Sequence, residues 1–203
     1  MTKKEKLLEI YRDVVTCTKC GISEFARTRV FGSGLASTGM MLVGEAPGVD
    51  EDIAGRVFVG NAGGILTACL TDAEIKREWI FIANILKCHP PKRLYPVSGN
   101  RAPTQEEVSN CLPFLYRQIE VVQPRVIVTL GKVATQRLLG LEKSPENFVK
   151  TWVGRQSVLK TTYGEIPVVV NVHPQYLGYN QKDVKLRDDA VEIFRRTKQW
   201  LKA

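Results

Sequence analysis

Five cysteines are the first candidates for chemistry in this chain of 203 residues. Cys17 and Cys20 form a CxxC, a spacing at which two thiolates can bind one metal centre. Cys88 and Cys111 lie on either side of a proline-bearing loop, and four thiolates can hold a zinc ion or an iron–sulfur cluster. Cys69 lies in an apolar helical pattern that is typical of a packed thiol. The odd number argues against a disulfide framework and leaves zinc, a cluster or two unrelated pairs of reduced thiols.

Polar side chains also follow three apolar, strand-like runs. Glu45 follows MMLVG, Asn84 follows WIFIA and His173 follows PVVVNV. The carboxyl ends of parallel strands meet at one edge of an open sheet, where ligands bind, so we expect these residues to share a crevice. There Glu45 would orient water or offset positive charge, and His173 would donate a hydrogen bond to developing negative charge. Asn84 would offer a donor and an acceptor to the edge of a nucleobase, although a strand-end turn explains it equally well.

An acidic, glycine-bearing stretch separates the first of these runs from the next helical pattern. Asp50 and Asp52 are typical of a helix start, where carboxylates interact favourably with the helix dipole. Phe58, within VFVG, is either a core residue or a ring face offered to a planar ligand such as a base. The motif GEAPG differs from the GxGxxG of dinucleotide-binding loops and contains no Walker lysine.

Apolar periodicity and turn residues predict the elements that position these side chains. We expect helices over 3–15, 62–73 and 104–122, a short helix closed at Gly140, a last helix from 183, strands over 40–43, 79–83, 126–130 and 167–172, and an edge strand around 156–160. The rest of 141–165, together with 23–39, 92–103 and 175–182, is predicted to be irregular. This alternation predicts a three-layer α/β/α fold with a central four-stranded parallel sheet. We expect a single domain over 1–203, in which 1–25 form the first helix and the CxxC segment.

Composition narrows the class of protein. The net charge of +8 favours a polyanionic partner such as nucleic acid, although a basic surface can also serve only to solvate the protein. No apolar run reaches the length of a membrane span, and the N-terminal MTKKEKLLEIYRDVV lacks the apolar core of a signal peptide. We therefore expect a cytoplasmic protein without a membrane partner.

The chain carries, in order, GEAPGVDED, GRVFVGNAGG, NILKCHPP, Cys111, LGKVA and a strand that ends in HP. Together these stretches, which extend over nearly the whole chain, resemble the family 4 uracil-DNA glycosylases. The resemblance implies a monofunctional DNA repair enzyme that flips uracil out of single- and double-stranded DNA and hydrolyses its N-glycosidic bond. It also implies a monomer associated with the nucleoid. The implied cofactor is a [4Fe–4S] cluster held by Cys17, Cys20, Cys88 and Cys111.

The resemblance further implies a role for each residue of the crevice. Phe58 would stack on the flipped base, Asn84 would read its pairing edge and Ala46 would line the pocket. Glu45 would place the water, Glu51 would be a second acid beside the pocket, and His173 would stabilise the uracil oxygen. Glu45, Glu51 and His173 are thus the expected catalytic residues, and His173 also contacts the uracil.

Contacts to DNA are implied for two segments. The loop from Gln175 to Gln181 matches the element that enters the minor groove, and Gln175 and Tyr176 are its expected DNA contacts. Arg93 and Arg101 lie in a basic loop that we also expect to contact DNA. The chain departs from the family at Gln175, where a serine is usual, and at His89, where an arginine is usual, and its basic loop is longer.

Two alternatives remain open beside the glycosylase. One is a non-enzymatic DNA-binding protein that carries zinc or a cluster and binds uracil-containing DNA without releasing the base. The other is a protein that cross-links covalently to abasic DNA, which the long basic loop suggests. This loop carries no histidine that matches that branch, however, and GEAPG differs from the motif of that branch.

Overall fold

Helices and strands alternate along the chain in the computed structural model, which describes residues 1–93, 98–141 and 147–201. The helices are α1 (Lys3–Val15), α2 (Val49–Ala54), α3 (Asn61–Asp72), α4 (Gln105–Val122), α5 (Lys132–Leu139), α6 (Phe148–Trp152), α7 (Pro174–Tyr179) and α8 (Val184–Thr197). The strands are β1 (Ser33–Gly34), β2 (Met40–Gly44), β3 (Phe81–Asn84), β4 (Pro91–Arg93), β5 (Ser98–Asn100), β6 (Val126–Leu130), β7 (Gln156–Thr161) and β8 (Gly164–Asn171). Among the helices described, none is both long and apolar enough to cross a bilayer.

A sheet with the strand order β1-β3-β2-β6-β8-β7 forms the centre of the described structure. Its inner strands β3, β2, β6 and β8 are parallel, as predicted, and Leu42 of β2 pairs with Ile82 on one side and Val128 on the other. The expected four-stranded sheet is therefore the inner part of a six-stranded one, whose outer strands β1 and β7 are antiparallel. The edge strand expected around 156–160 is β7. In contrast, β1 lies in a stretch that is predicted to be irregular. The sequence does not predict this strand, because its two residues are too few to show a periodicity.

Helices cover both faces of this sheet, which explains why its inner strands are apolar on both sides. In β2, Met40 and Leu42 pack in the core layer that includes α3 and α8, whereas Met41 and Val43 pack in the layer that includes α4 and α5. All residues of β2 are buried. The predicted three-layer α/β/α architecture is therefore confirmed.

The first helix is fixed against α4. Val14 of α1 packs against Phe114 of α4, and Arg117 forms an ion pair with Asp13 at 2.6 Å. Because α1 ends just before Cys17, this packing carries the CxxC segment to the side of α4.

Several segments predicted to be loops contain short regular elements. In α7, Pro174 occupies the first turn, and the His173 ring accepts the main-chain N–H of Gln175 in place of the usual Ser or Asp cap. Because this cap is uncommon, the sequence does not predict the helix. The helix α2 begins with the predicted acidic residues but has only six residues, too few for an apolar period. The antiparallel strands β4 and β5 lie in the basic loop predicted at 92–103, apart from Pro91, and α6 lies in the stretch 141–165 that is predicted to be irregular apart from its edge strand.

Candidate active site

A cleft of about 450 Å³ lies at the carboxyl ends of β2, β3 and β8. Glu45 follows β2, Asn84 ends β3 and His173 follows β8, and the structure brings these three residues together in the cleft wall. The wall also contains Ala46, Gly48, Val49, Asp50, Glu51, Phe58, Gly60, Asn61, Ala62, Gly99, Asn100, Gln175 and Tyr179. The cleft therefore lies at the edge where open α/β sheets bind their ligands.

Two glycines allow the polar and aromatic side chains of the cleft to lie against the main chain. A Cβ atom at Gly44 would overlap Asn84 Oδ1 and lie 2.7 Å from the Phe58 ring. A Cβ atom at Gly131, where φ is +91°, would lie 2.8 Å from the Cβ atom of His173. Any other residue at these positions would displace the side chains that form the cleft.

Phe58 is buried, and its main chain has a φ of +49°, which is uncommon for a residue with a side chain. The carboxylate of Glu51 holds this loop in place. Its Oε1 atom accepts the main-chain N–H groups of Val59 and Gly60 at 2.8 and 2.9 Å. Its Oε2 atom accepts the main-chain N–H of Gly48 at 3.0 Å. Both carboxylate oxygens are therefore engaged by the main chain, and Glu51 fixes the turn that directly follows Phe58.

Asn84 is 1% exposed, and its Oδ1 atom has no hydrogen-bond partner within the described ranges. A buried acceptor without a partner costs about 1–3 kcal/mol. The residue lines the cleft, so a bound molecule with an N–H group can supply the missing donor. The same amide carries the Nδ2 donor, and Asn84 can therefore present an acceptor and a donor side by side.

His173 is held in one tautomer. Its Nδ1 atom accepts the main-chain N–H of Gln175 at 3.1 Å, so the proton of the neutral ring is on Nε2. Burial lowers the pKa of His173 to about 4, although the carboxylate of Glu51 opposes this shift. Its ring lies 6.2 Å from the Phe58 ring, measured between centroids. At neutral pH the ring is therefore uncharged and carries an Nε2–H donor.

Glu45 is half-buried in the cleft wall, and Ala46 lies next to it. Burial raises the pKa of the Glu45 carboxyl group, and Arg137 partly offsets this effect. The main chain of Glu45 is fixed, since its oxygen accepts the N–H of Leu86 at 3.0 Å. A carboxylate with a raised pKa is suited to orient a water molecule and to accept its proton.

The residues expected to contact DNA lie in different surroundings. Gln175 lines the cleft, and Tyr176 is 42% exposed on α7. Arg101 forms a bidentate ion pair with Glu107, at 2.5 and 2.8 Å. These hydrogen bonds raise the pKa of Arg101 and lower that of Glu107, and they secure the first turn of α4. The side chain of Arg93 lies outside the described residues.

Sequence reasoning does not single out Asn61 or Asn100, although both line the cleft. Tyr179 also lines it and lies in the loop 175–181, but only Gln175 and Tyr176 of that loop are expected DNA contacts. Asn100 reaches the cleft from β5, where its Nδ2 atom donates to the Pro47 oxygen at 3.3 Å and its Oδ1 atom bonds the Nε2 atom of His89 at 3.0 Å. Tyr179 is 79% exposed at the end of α7. An aromatic residue in a polar segment is a sequence feature that could have indicated Tyr179. The contacts of Asn100 join distant parts of the chain, so no local sequence pattern indicates them.

A second, smaller cavity brings together Cys17, Cys20, Cys88 and Cys111. Burial is the main cause that raises the pKa of Cys88 to about 12, and the neighbouring thiol of Cys111 adds to it. Burial also raises the pKa of Cys111, to about 11. Such thiols stay protonated at neutral pH unless a metal centre replaces their protons. In the part of the chain that the structure describes, no three Cys, His, Asp or Glu side chains form a group that could hold one metal ion. Cys69 is packed elsewhere, in the core layer of α3.

Arg29 and Lys87 also line the cysteine cavity. The Nη2 atom of Arg29 donates to the Ser23 oxygen at 2.8 Å, whereas its buried Nε atom has no partner among the described residues. The main-chain N–H of Lys87 donates to Cys111 Sγ at 3.2 Å, and burial lowers the pKa of the Lys87 ammonium group to about 8. A residue of the cavity wall therefore carries an unpartnered N–H donor, which the sequence does not reveal.

The chain is similar to proteins of one family over most of its length. A model of the Uracil DNA glycosylase superfamily matches residues 31–198. The chain is 36% identical to a Type-4 uracil-DNA glycosylase of Thermotoga maritima, over 100% of this chain and 98% of that protein. It is 34% identical to the one of Archaeoglobus fulgidus, over 95% and 92%, and 36% identical to the one of Sulfurisphaera tokodaii, over 91% and 81%. The protein therefore belongs to the uracil DNA glycosylase superfamily.

Proposed function

We propose that this protein is a uracil-DNA glycosylase, which hydrolyses the bond between uracil and deoxyribose in DNA and leaves an abasic site. The observation that carries the proposal is the buried, unpartnered Oδ1 atom of Asn84 in the cleft wall. Uracil presents an N3–H donor beside its O4 acceptor, and the Oδ1 and Nδ2 atoms of Asn84 match this pair. Cytosine presents an unprotonated N3 and an amino group instead, so both contacts would be lost.

Access to the cleft requires the base to leave the duplex, at a cost of a few kcal/mol. Phe58 offsets part of this cost, since stacking of a base on an aromatic ring contributes about 1–3 kcal/mol. We assign Glu51 to the positioning of that ring, because both of its oxygens accept main-chain N–H groups. Ala46 forms the neighbouring part of the wall.

Cleavage of the bond between the sugar C1′ and uracil N1 sends the bonding electrons to the base. Negative charge builds on uracil O2, and His173 stabilises it by donating the Nε2–H of its neutral ring. The sugar cation accepts the oxygen of a water molecule that the ionised Glu45 orients, and Glu45 takes up the proton of that water. Uracil leaves as the anion and takes up a proton from the solvent, while Glu45 releases its proton to the solvent. The products are therefore neutral uracil and an abasic site, and no phosphodiester bond breaks.

The similarity to Type-4 uracil-DNA glycosylases supports DNA as the substrate. The net charge of +8 adds attraction to phosphates. We assign Gln175 and Tyr176 to the minor groove and Arg93 to the phosphates, whereas Arg101 acts by securing α4 through Glu107. In this proposal the chain acts as one domain and as a monomer, on single- and double-stranded DNA of the cytoplasmic nucleoid.

We infer that the four cysteines of the smaller cavity hold a [4Fe–4S] cluster. The buried, unpartnered Nε–H of Arg29 fits this group, because cluster sulfur atoms accept hydrogen bonds. The main-chain N–H that Lys87 directs at Cys111 Sγ fits it as well. The thiols need not converge on one point, since each would bind a different iron atom. Hydrolysis transfers no electrons, so we assign the cluster the structural task of cross-linking the segment after α1 to α4.

Release of uracil from oligonucleotides that contain one deoxyuridine, single-stranded or paired, tests the proposed reaction. We expect free uracil and a strand that stays intact until alkali cleaves it at the abasic site. Tight binding without release of the base would instead support a non-enzymatic DNA-binding protein. A denaturation-resistant complex with abasic DNA would support covalent cross-linking.

The visible absorption spectrum of the freshly purified protein, with assays for iron and sulfide, tests the cofactor. We expect a broad band near roughly 400 nm and about four iron atoms per chain. A colourless protein with one zinc ion per chain would contradict the cluster.

A further inference from the structure

Lys87 is 2% exposed, and its ammonium group is bound by neutral oxygen atoms. The Nζ atom donates to the main-chain oxygen of Asn84 at 2.8 Å and to Gln118 Oε1 at 2.7 Å. Gln118 of α4 is itself fully buried, and its Nε2 atom donates to the Phe31 oxygen at 2.9 Å. Burial of an ammonium group costs free energy unless hydrogen bonds compensate for the lost water. A lysine at this place therefore calls for a reason beyond packing.

The main chain of Lys87 is held at the same time. Its N–H donates to Cys111 Sγ at 3.2 Å, and its oxygen accepts the N–H of Val30 at 2.7 Å. The side chain thus extends from a fixed base beside the cysteine cavity to the end of β3. There Asn84 pairs with Gly44 of β2, whereas the described pairing with β1 ends at Ile82. The main-chain oxygen of Asn84 accepts a hydrogen bond from the Lys87 ammonium group instead.

We propose that Lys87 is a positioning residue for base recognition, because its ammonium group, tethered by Gln118, clamps the main chain of Asn84 and so sets the direction of the amide that reads uracil. The inference rests on the role of Asn84 in the proposed function. It adds a second task to the segment between β3 and Cys88, which joins the cysteine cavity to the cleft.

The amide of Asn84 needs such support, because its Oδ1 atom makes no hydrogen bond within the described ranges that would hold it in direction. Its placement depends on the main chain of Asn84 and on the close approach of Gly44. Loss of the clamp would let the amide shift, and a displacement of about 1 Å at a reacting centre can lower the rate about a hundredfold.

The first test compares Lys87→Met with Lys160→Met, which removes an exposed lysine on β7. Methionine keeps the length and apolar stem of Lys87 but donates no hydrogen bond. We expect Lys87→Met to lower the kcat of uracil release about a hundredfold and to raise KM for uracil-containing DNA by no more than about tenfold. The Lys160→Met protein should match the parent. An unchanged kcat for Lys87→Met would overturn the inference.

A double-mutant cycle separates positioning from a general loss of structure. Its readout is binding to a duplex that carries 2′-fluoro-2′-deoxyuridine, which resists hydrolysis, relative to the same duplex with thymidine. We expect Lys87→Met to reduce the preference for the uracil duplex about tenfold in the parent and by less than about twofold in an Asn84→Ala background. Equal losses in both backgrounds would show that Lys87 does not act through Asn84.

Gln118→Leu provides a second variant in case Lys87→Met does not fold. It keeps the ammonium group but removes one of its two acceptors. We expect a smaller loss of the same preference, again absent in the Asn84→Ala background, and an unchanged preference would count against the clamp. A parent protein that shows no preference for uracil would overturn the proposed function, and the inference with it. A parent that reads uracil while both variants match it would overturn the inference alone.

Discussion

The main-chain N–H of Gln175 lies 3.1 Å from Nδ1 of His173, and this contact decides which nitrogen of the ring carries the proton. The donor is a main-chain group, which every residue except proline supplies at this position. The replacement of the usual serine by Gln175 therefore leaves the tautomer of His173 intact. Because burial holds the pKa of His173 at about 4, the ring serves as a neutral donor over the whole physiological range of pH.

Replacement of His173 by leucine should mainly affect the chemical step. The variant lacks the Nε2–H that, in the proposed mechanism, faces the developing charge on uracil O2, and loss of one such donor lowers kcat by about 10²–10³. Single-turnover kinetics on deoxyuridine DNA would measure this loss, with affinity for the DNA determined separately. A variant that keeps more than about a tenth of the parent rate would exclude His173 from the reaction.

The pH dependence of uracil release should report on Glu45. Burial raises the pKa of this carboxyl group, so its ionised fraction falls at a higher pH than for an exposed glutamate. We expect kcat to rise with pH through this raised pKa and then to level off, since the pKa of His173 lies lower, at about 4. In Glu45→Gln the rate should be low, and its dependence on acid pH should disappear. Persistence of the acid limb in this variant would assign the titration to another group.

Asn84→Ala should abolish detectable release of uracil. The substitution removes both the acceptor proposed for N3–H and the donor proposed for O4, and a site that reads a base through paired hydrogen bonds loses most of its discrimination with them. Gln156→Ala is the control, because it removes an exposed amide on β7. Full activity of Asn84→Ala in the oligonucleotide assay would mean that the cleft is not the uracil site.

Phe58→Leu should weaken binding of the flipped base. Leucine keeps an apolar side chain but offers no ring face, and the loss of stacking corresponds to about 1–3 kcal/mol. The measurement is the affinity for the 2′-fluoro-2′-deoxyuridine duplex, with Phe25→Leu as control, since Phe25 is an exposed ring outside the cleft wall. Equal affinities of the two variants would assign Phe58 to the core alone.

Arg29→Gln should destabilise the inferred cluster while Arg27→Gln does not. Arg29 lines the cysteine cavity and has a buried Nε–H without a partner in the described chain, whereas Arg27 is exposed two residues away. A hydrogen bond to a charged group contributes about 1.5–3 kcal/mol, so we expect the 400 nm band of Arg29→Gln to bleach about tenfold faster with a chelator. Equal bleaching rates would show that Arg29 does not contact the cluster.

The sequence was sufficient to locate the inner strands and the residues at their ends. The inner strands β2, β3 and β6 and the second half of β8 are buried on both faces, so they appear as continuous apolar runs such as MMLV or VIVTL. The end of such a run fixes the position of the next polar residue, so the sequence alone predicts that Glu45, Asn84 and His173 share one cleft, as they do. The sequence likewise identifies the four cysteines of the smaller cavity as candidate ligands of one centre.

Features that depend on contacts between distant residues could not be read in the same way. The unpartnered Nε atom of Arg29 and the buried ammonium group of Lys87 become apparent only when the chain is folded around them. Glu51 could be placed beside the cleft, but its hydrogen bonds to the main chain of Val59 and Gly60 could not be anticipated. Elements of two to six residues, such as β1, α2 and α7, are shorter than the periods that predict them.

The strand β1 has only two residues, and it forms one of the two outer edges of the sheet. A free edge offers unpaired N–H and C=O groups to other chains, and a very short edge strand limits this hazard. On the opposite edge, β7 carries the exposed charge of Lys160, which disfavours insertion of a neighbouring chain. We therefore expect concentrated solutions of the protein to resist amyloid-like, edge-to-edge aggregation.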